Sequence, residues 1–282
     1  MTISEAYKNA VSKLTESGIP DAAYDARLLF ENVFSLTYND TLLNPGLQCD
    51  SEKVAEFEKI LEERISGRPL QYILGKWEFM GLEFSVGEGV LIPRSDTEIL
   101  AEYAIEKIKK MKKPVVFDLC SGSGCIGLSV KKFAPEARVF MVEISDEAIH
   151  YLNLNREQLG LMRDTCLVKG DITLGFEAFS SLPKPDVILS NPPYIISDEI
   201  KDLQKEVQLE PRLALDGGKD GYDFYRVLSE KWLPFINKDG FIAVECGEEQ
   251  ARNIASMFAL NSKETEIVKD FSGTERVVIG IK

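Results

Sequence analysis

Val115-Val116-Phe117-Asp118-Leu119-Cys120-Ser121-Gly122-Ser123-Gly124 reads as an apolar strand that empties into a glycine loop, and Ile126 to Phe133 beyond it is spaced as a helix. Strand, glycine turn and helix in that order form the ligand-binding end of an open α/β sheet. Further strands follow at Val139 to Glu143, Cys166 to Val168, Asp186 to Ser190 and Phe241 to Glu245, with helical stretches between them. Such alternation implies right-handed crossovers and hence parallel strands. The tail instead offers Thr265 to Val268 and Arg276 to Ile281 around Ser272-Gly273, so the sheet is expected to close on an antiparallel hairpin.

Upstream the period is helical. Thr2-Ile3-Ser4-Glu5 has the form of a capping box, Asp21 is placed to cap a second helix, a short element follows Thr37, and Ser51 opens a fourth helix carrying Val54, Phe57, Leu61 and Ile65. Residues 1–68 are therefore expected to form a small helical bundle that either docks a macromolecular substrate or caps the fold. From Tyr72 the period drops to two, through Trp77, Phe79, Leu82 and Phe84 around Met80-Gly81, so residues 69–94 are expected to be a β-hairpin linker. The remaining domain, residues 95–282, would open with a second capping box at Ser95-Asp96-Thr97-Glu98.

Charge and composition remove whole classes of function. Asp plus Glu exceed Lys plus Arg by 46 to 33, a net charge of −13 that opposes a phosphate backbone, so no direct nucleic-acid partner is expected. Five cysteines without a C-x-x-C pair suggest neither a disulfide framework nor a metal site, and they fit a reducing cytoplasm. The one histidine, His150, falls in a helical stretch where solvent is its expected neighbour, which argues against triad and His-metal mechanisms. No apolar run is long enough to span a membrane, and Met1 to Glu5 lacks the basic and apolar regions of a signal peptide.

Two sets of residues at strand ends carry chemistry. Gly122-Ser123-Gly124-Cys125-Ile126-Gly127 satisfies G-x-G-x-x-G, with Glu143 about 20 residues further on, where a ribose-binding acid belongs. The glycines alone fit a dinucleotide as well as S-adenosylmethionine. Asp118 before the glycines, suited to a cationic amino-acid end, Asp171 after the next strand, where an adenine amine can be read, and the terminal hairpin tilt the reading to S-adenosylmethionine. Each acid also has a plain structural role, Asp118 as a loop cap, Asp171 as a turn former and Glu143 at a helix start.

The second set is Asn191-Pro192-Pro193-Tyr194, directly after a buried-looking strand. Asn-Pro commonly starts turns, but two prolines here also hold a carboxamide and an aromatic ring at a fixed separation. An amide or exocyclic nitrogen is a poor nucleophile because its lone pair is delocalised. The Asn191 side-chain oxygen and the Pro192 carbonyl can accept its two hydrogens, while Tyr194 stacks on the flat group. Such a site needs no titrating general base.

Asp118 to Gly124, Asn191 to Tyr194, Ile92-Pro93-Arg94 and Glu210-Pro211-Arg212-Leu213-Ala214-Leu215-Asp216-Gly217-Gly218 resemble the PrmC/HemK family of class I methyltransferases, and the resemblance spans nearly the whole chain. It implies a Rossmann-like, mostly parallel seven-stranded sheet, with S-adenosyl-L-methionine as cofactor and S-adenosyl-L-homocysteine as product. It also implies methylation of the side-chain amide N5 of the glutamine in the Gly-Gly-Gln motif of bacterial peptide chain release factors, by a cytoplasmic monomer. Carried over by residue, Asp118, Cys120, Ser121, Gly122, Ser123 and Gly124 hold the cofactor and Glu143 takes its ribose. Asp171 and Ile172 flank the adenine, and Asn191 touches both cofactor and substrate. Asn191, Pro192, Pro193 and Tyr194 grip the glutamine, with Asn191, Pro192 and Tyr194 catalytic. Two departures stand out: Cys120 replaces a glycine common in the family, and Ile172 an aromatic found in some members. The alternative, methylation of exocyclic amines of adenine or cytosine in DNA, shares Asn-Pro-Pro-Tyr but calls for a basic groove and a target-recognition region, and the sequence shows neither. A nucleoside-binding scaffold without activity would leave Asn191 and Tyr194 unexplained.

Overall fold

The structure, a computed structural model, describes residues 1–282. It divides into two compact units, Met1–Lys76 with Lys205–Leu209, and Trp77–Gln204 with Glu210–Lys282. No helix is long and apolar enough to cross a membrane.

The first unit contains α1 (Ile3–Glu16), α2 (Ala22–Phe34), α3 (Tyr38–Leu43), α4 (Ser51–Ile65) and α5 (Leu70–Leu74). The capping box of α1 forms: Thr2 Oγ1 accepts from the Glu5 amide and the Glu5 carboxylate accepts from that of Thr2. Asp21 occupies the cap position of α2 but makes no capping bond, because its backbone (φ −105°, ψ 43°) is outside the extended region that aims a cap. Ser51 is the first residue of α4, as expected, and Asp50 caps it by accepting from the amides of Glu52 and Lys53. Helix α5 replaces the start of the expected alternating run, burying Leu70 and Tyr72 before Gly75 ends it at φ 72°. Ala6, Ala10 and Ala26 allow close approach around Leu14, Leu29, Phe30, Phe57 and Leu61, all essentially buried. Arg64, 4% exposed, donates from Nε to Asp25 Oδ2 at 2.7 Å and from Nη2 to Glu206 Oε1 at 3.0 Å, 142 positions later in the chain.

The hairpin is shorter than the alternating sequence, with β1 (Lys76–Phe79) and β2 (Leu82–Ser85) joined through Met80 and Gly81. Both turn residues have positive φ, 54° and 70°, as a tight two-residue turn that follows strand twist requires. The Met80 amide donates to Glu98 Oε1 at 2.6 Å. That contact explains why the expected capping box at Ser95 to Glu98 is absent: α6 (Ser95–Ile108) begins after Arg94 without a side-chain cap.

The rest is a seven-stranded sheet, as the sequence implies. In chain order its elements are β3 (Val115–Leu119), α7 (Cys125–Phe133), β4 (Arg138–Glu143), α8 (Asp146–Gln158), β5 (Thr165–Lys169) and β6 (Val187–Ser190). After α9 (Lys205–Gln208), which belongs to the first unit, come α10 (Asp223–Val227), β7 (Phe241–Glu245), α11 (Ala251–Ala259), β8 (Glu264–Lys269) and β9 (Glu275–Ile281). The order is β5-β4-β3-β6-β7-β9-β8, with β9 antiparallel to both neighbours. Alternate strand residues feed two cores, Val116, Met141, Leu189 and Ala243 on one face and Phe117, Val142, Ile188 and Ile242 on the other. His150 is exposed on α8. Strand order reverses between β3 and β6, where Leu119 pairs with Ser190 and the Ser190 hydroxyl donates to the Leu119 carbonyl at 2.7 Å. The two chemically interesting loops therefore leave from adjacent strand ends at the switch point of the sheet, where ligands bind in open α/β folds.

Candidate active site

One cavity opens over the carboxyl ends of these strands. Cys120, Ser121, Gly122, Ser123, Glu143, Asp171, Ile172 and Asn191 line it, joined by Pro193. Asp118, Gly124, Pro192 and Tyr194 are not on its wall. Asp118 is fully buried beneath the first turn of α7, where its Oδ2 accepts from the Gly127 amide at 2.9 Å. A side chain on Gly127 would stand 2.8 Å from that oxygen, which explains the third glycine of the motif. Burial, with a contribution from Glu143, pushes Asp118 up to about 7, and its Oδ1 meets no donor in the chain. Gly124 is closed off by Leu128 and Leu152, each 3.1 Å from where its Cβ would lie.

Glu143 pins two loops at once. Its Oε2 accepts from the Gly122 amide at 2.8 Å, and its Oε1 accepts from the amides of Ile144 and Ser145 at 2.8 and 2.9 Å. A carboxylate has about four acceptor sites, so these three bonds leave capacity for a ligand hydroxyl. Asp171 Oδ1 accepts from the amide and hydroxyl of Thr173, while its other oxygen has no partner in the chain. Ile144 and Ile172 supply apolar wall, and Ile144 was not singled out from sequence.

The Asn-Pro-Pro-Tyr loop is held by the glycine stretch downstream. The Ile195 amide donates to the Leu215 carbonyl and the Gly217 amide returns a bond to the Ile195 carbonyl, at 2.9 and 2.8 Å. A Cβ on Gly217 would lie 2.6 Å from Tyr194 Cα, so only glycine permits this approach. Gln250 adds a bond from Nε2 to the Tyr194 carbonyl at 3.1 Å. Pro192 is buried. Tyr194 does not stack into the cavity: its hydroxyl points to Glu245 Oε1 at 3.4 Å and its ring rests beside Gly247. Burial and Glu245 raise the Tyr194 hydroxyl above its ordinary range. Pro193 and Phe224 provide the apolar wall instead.

Two further residues, Thr97 and Glu245, had no clear signal as site residues in the sequence because their partners are distant. Asn191 Nδ2 donates to Thr97 Oγ1 at 3.2 Å, and Thr97 donates to Glu245 Oε2 at 2.5 Å. Glu245 is fully buried and pushed up to about 7 by that burial, against the Thr97 hydrogen bond. The Ile92-Pro93-Arg94 and Glu210 stretches meet at the same cavity, where Glu210 accepts from the Ile92 amide at 3.0 Å and pairs with Arg94.

Comparison with known proteins gives this arrangement a family. Residues 5–75 match the family described as PrmC N-terminal domain, and residues 96–210 match the Methyltransferase small domain. Across 100% of its own length and 99% of the relative's, the chain is 34% identical to the release factor glutamine methyltransferase of Clostridium acetobutylicum. The chain belongs to the release factor glutamine methyltransferase (PrmC) family. A family member from Thermodesulfovibrio yellowstonii is 38% identical over 82% of this chain and 83% of its own. Among solved structures, the SAM-dependent methyltransferase from Agrobacterium tumefaciens aligns with a TM-score of 0.53 at 13% identity, over 73% of this chain and 70% of that one, a likeness of fold.

Membership in the PrmC family makes the departure at Cys120 informative. Its φ is 58°, in the left-handed region that a glycine would adopt without strain. Relief of left-handed strain, about 1–2 kcal/mol, opposes the extra chain entropy of glycine, about 0.5–1 kcal/mol. Cys120→Gly should therefore stabilise by about 0–1.5 kcal/mol, whereas β-branched Cys120→Val should lose about 1–3 kcal/mol. Denaturant melts of both variants test this, and a Cys120→Val protein as stable as the parent would contradict the assigned backbone.

Proposed function

We propose that the chain is an S-adenosylmethionine-dependent methyltransferase acting on the side-chain amide N5 of the Gly-Gly-Gln glutamine of peptide chain release factors, with the helical unit docking the protein substrate. The observation that carries this reading is the Asn191 carboxamide, fixed at the end of β6 beside the β3 glycine loop with its oxygen unpartnered. The full-length family relationship supports the choice of glutamine over a DNA base, and so does a net charge of −13.

The residues present suit the cofactor. Spare acceptor capacity on Glu143 and Asp171 matches ribose hydroxyls and an adenine amine, Ile144 and Ile172 suit the flat base, and the acids suit a cation. When bound, S-adenosylmethionine supplies an electrophilic methyl group on a sulfonium. The chain's own part is positional. Asn191 Oδ1 accepts one amide hydrogen and the main-chain carbonyl of Pro192, between the wall residues Asn191 and Pro193, is the proposed acceptor of the other, which localises the nitrogen lone pair, while Pro193 and Phe224 confine the side chain. Tyr194 and Glu245 are engaged with each other and with Thr97, so neither is poised to take a proton from substrate.

Mass spectrometry of a release factor after incubation with the purified chain and S-adenosylmethionine tests the proposal. A single added methyl group on the Gly-Gly-Gln glutamine is expected. An unmodified release factor beside a methylated DNA oligonucleotide would overturn it.

A further inference from the structure

A carboxamide can turn either its oxygen or its NH2 toward a neighbour, and only the oxygen can accept a hydrogen from a substrate amide. Resting on the reading that this site methylates an amide nitrogen, we infer that Thr97 and Glu245 are positioning residues whose hydrogen-bond chain keeps the Asn191 oxygen free for substrate.

Glu245 ends β7 and Thr97 lies in the first turn of α6, 148 positions apart, and each is 2% exposed. Thr97 has one hydroxyl proton and places it on Glu245 Oε2 at 2.5 Å. With Glu245 as a carboxylate, the Thr97 oxygen can therefore only accept toward Asn191. Asn191 meets that requirement by donating from Nδ2 at 3.2 Å. The flipped amide would set Oδ1 against the Thr97 oxygen, acceptor against acceptor, and lose the Asn191 to Thr97 hydrogen bond. Orientation is thus decided by Glu245 and relayed through one hydroxyl, and the Glu245 backbone is fixed by the Tyr225 hydroxyl, which donates to its main-chain carbonyl at 2.8 Å.

The test uses the full-length enzyme, a release factor and S-adenosylmethionine, with single-turnover rates and calorimetric cofactor affinity as readouts. Thr97→Val keeps the side-chain shape and removes the hydroxyl, so the rate should fall about 10-fold, the equilibrium value of one oriented hydrogen bond. Cofactor affinity should hold, and Thr97→Ser should restore the rate. In an Asn191→Asp background the two carboxylate oxygens are equivalent and orientation no longer matters, so adding Thr97→Val should cost little more. Equal losses in the two backgrounds, or no rescue by serine, would reduce Thr97 to a packing residue and overturn the inference. Should Thr97→Val fail to fold, slow exchange of the Asn191 side-chain amide protons in the parent enzyme supports the bond to Thr97 and fast exchange refutes it. An enzyme that leaves the glutamine unmethylated before any substitution would instead refute the proposed function, a result separate from all of these.

Discussion

Asn191→Ala is expected to slow methyl transfer roughly 100-fold to 1000-fold, the loss typical of removing one preorganised hydrogen-bonding group from a site that acts by positioning. The substitution removes the side-chain acceptor and leaves the Thr97 hydroxyl without its donor, while the Pro192 carbonyl stays in place. Cofactor affinity should fall far less, because Glu143 and the glycine loop are untouched. Asn191→Asp retains an acceptor and should keep partial activity on glutamine. Single-turnover rates with a release factor would decide, and a full-speed Asn191→Ala enzyme would remove the carboxamide from the mechanism.

Glu143→Ala carries the second large effect, on binding instead of rate. A lost charge-assisted ribose contact accounts for about 1.5–3 kcal/mol, roughly a 10-fold to 150-fold weaker cofactor Kd. The structure adds a second loss, since the amides of Gly122, Ile144 and Ser145 all donate to this carboxylate and would be left without it. The loops after β3 and β4 would then loosen together, so the observed weakening should lie at or above the upper end. Calorimetry with S-adenosylmethionine measures it directly. NAD should not compete in the same titration, and an unchanged Kd would show that the cofactor does not rest on Glu143.

The sheet was legible in the sequence because its central strands are buried on both faces. Val115 to Leu119 and Phe241 to Glu245 read as uninterrupted apolar runs with an acid among them, and they begin and end where expected. Helix starts were legible only where the backbone and nearby partners cooperate. Thr2 and Thr37 form their boxes, but Asp21 sits at the wrong dihedral angles, and Thr97 and Glu98 are drawn away by Glu245 and Met80. At the site, the cofactor loop, Glu143, Asp171 and Asn191 could be placed because each ends a strand. Asp118 and Tyr194 were read as ligand contacts because their residue types suit that chemistry. In the structure both lie off the cavity wall and brace the loops from below or behind, a placement that depends on side-chain direction. Thr97, Glu245 and Gln250 act through contacts spanning 148 and 56 positions, and no local pattern marks such pairs.

Arg64 and Glu206 have a consequence for how this protein is made. A ribosome delivers residues in order, so the four main helices of the first unit emerge while the segment that completes it, Lys205–Leu209, is still unsynthesised. Through that interval the guanidinium buried beside Asp25 lacks its second carboxylate. Closing a contact across 142 positions is entropically slow unless intervening structure shortens the path. Strands β3 to β6 lie between the two residues in the chain, so forming the parallel sheet shortens the route by which Glu206 reaches Arg64. The early helices thus complete their assembly only after the strands that precede Lys205–Leu209 have been synthesised.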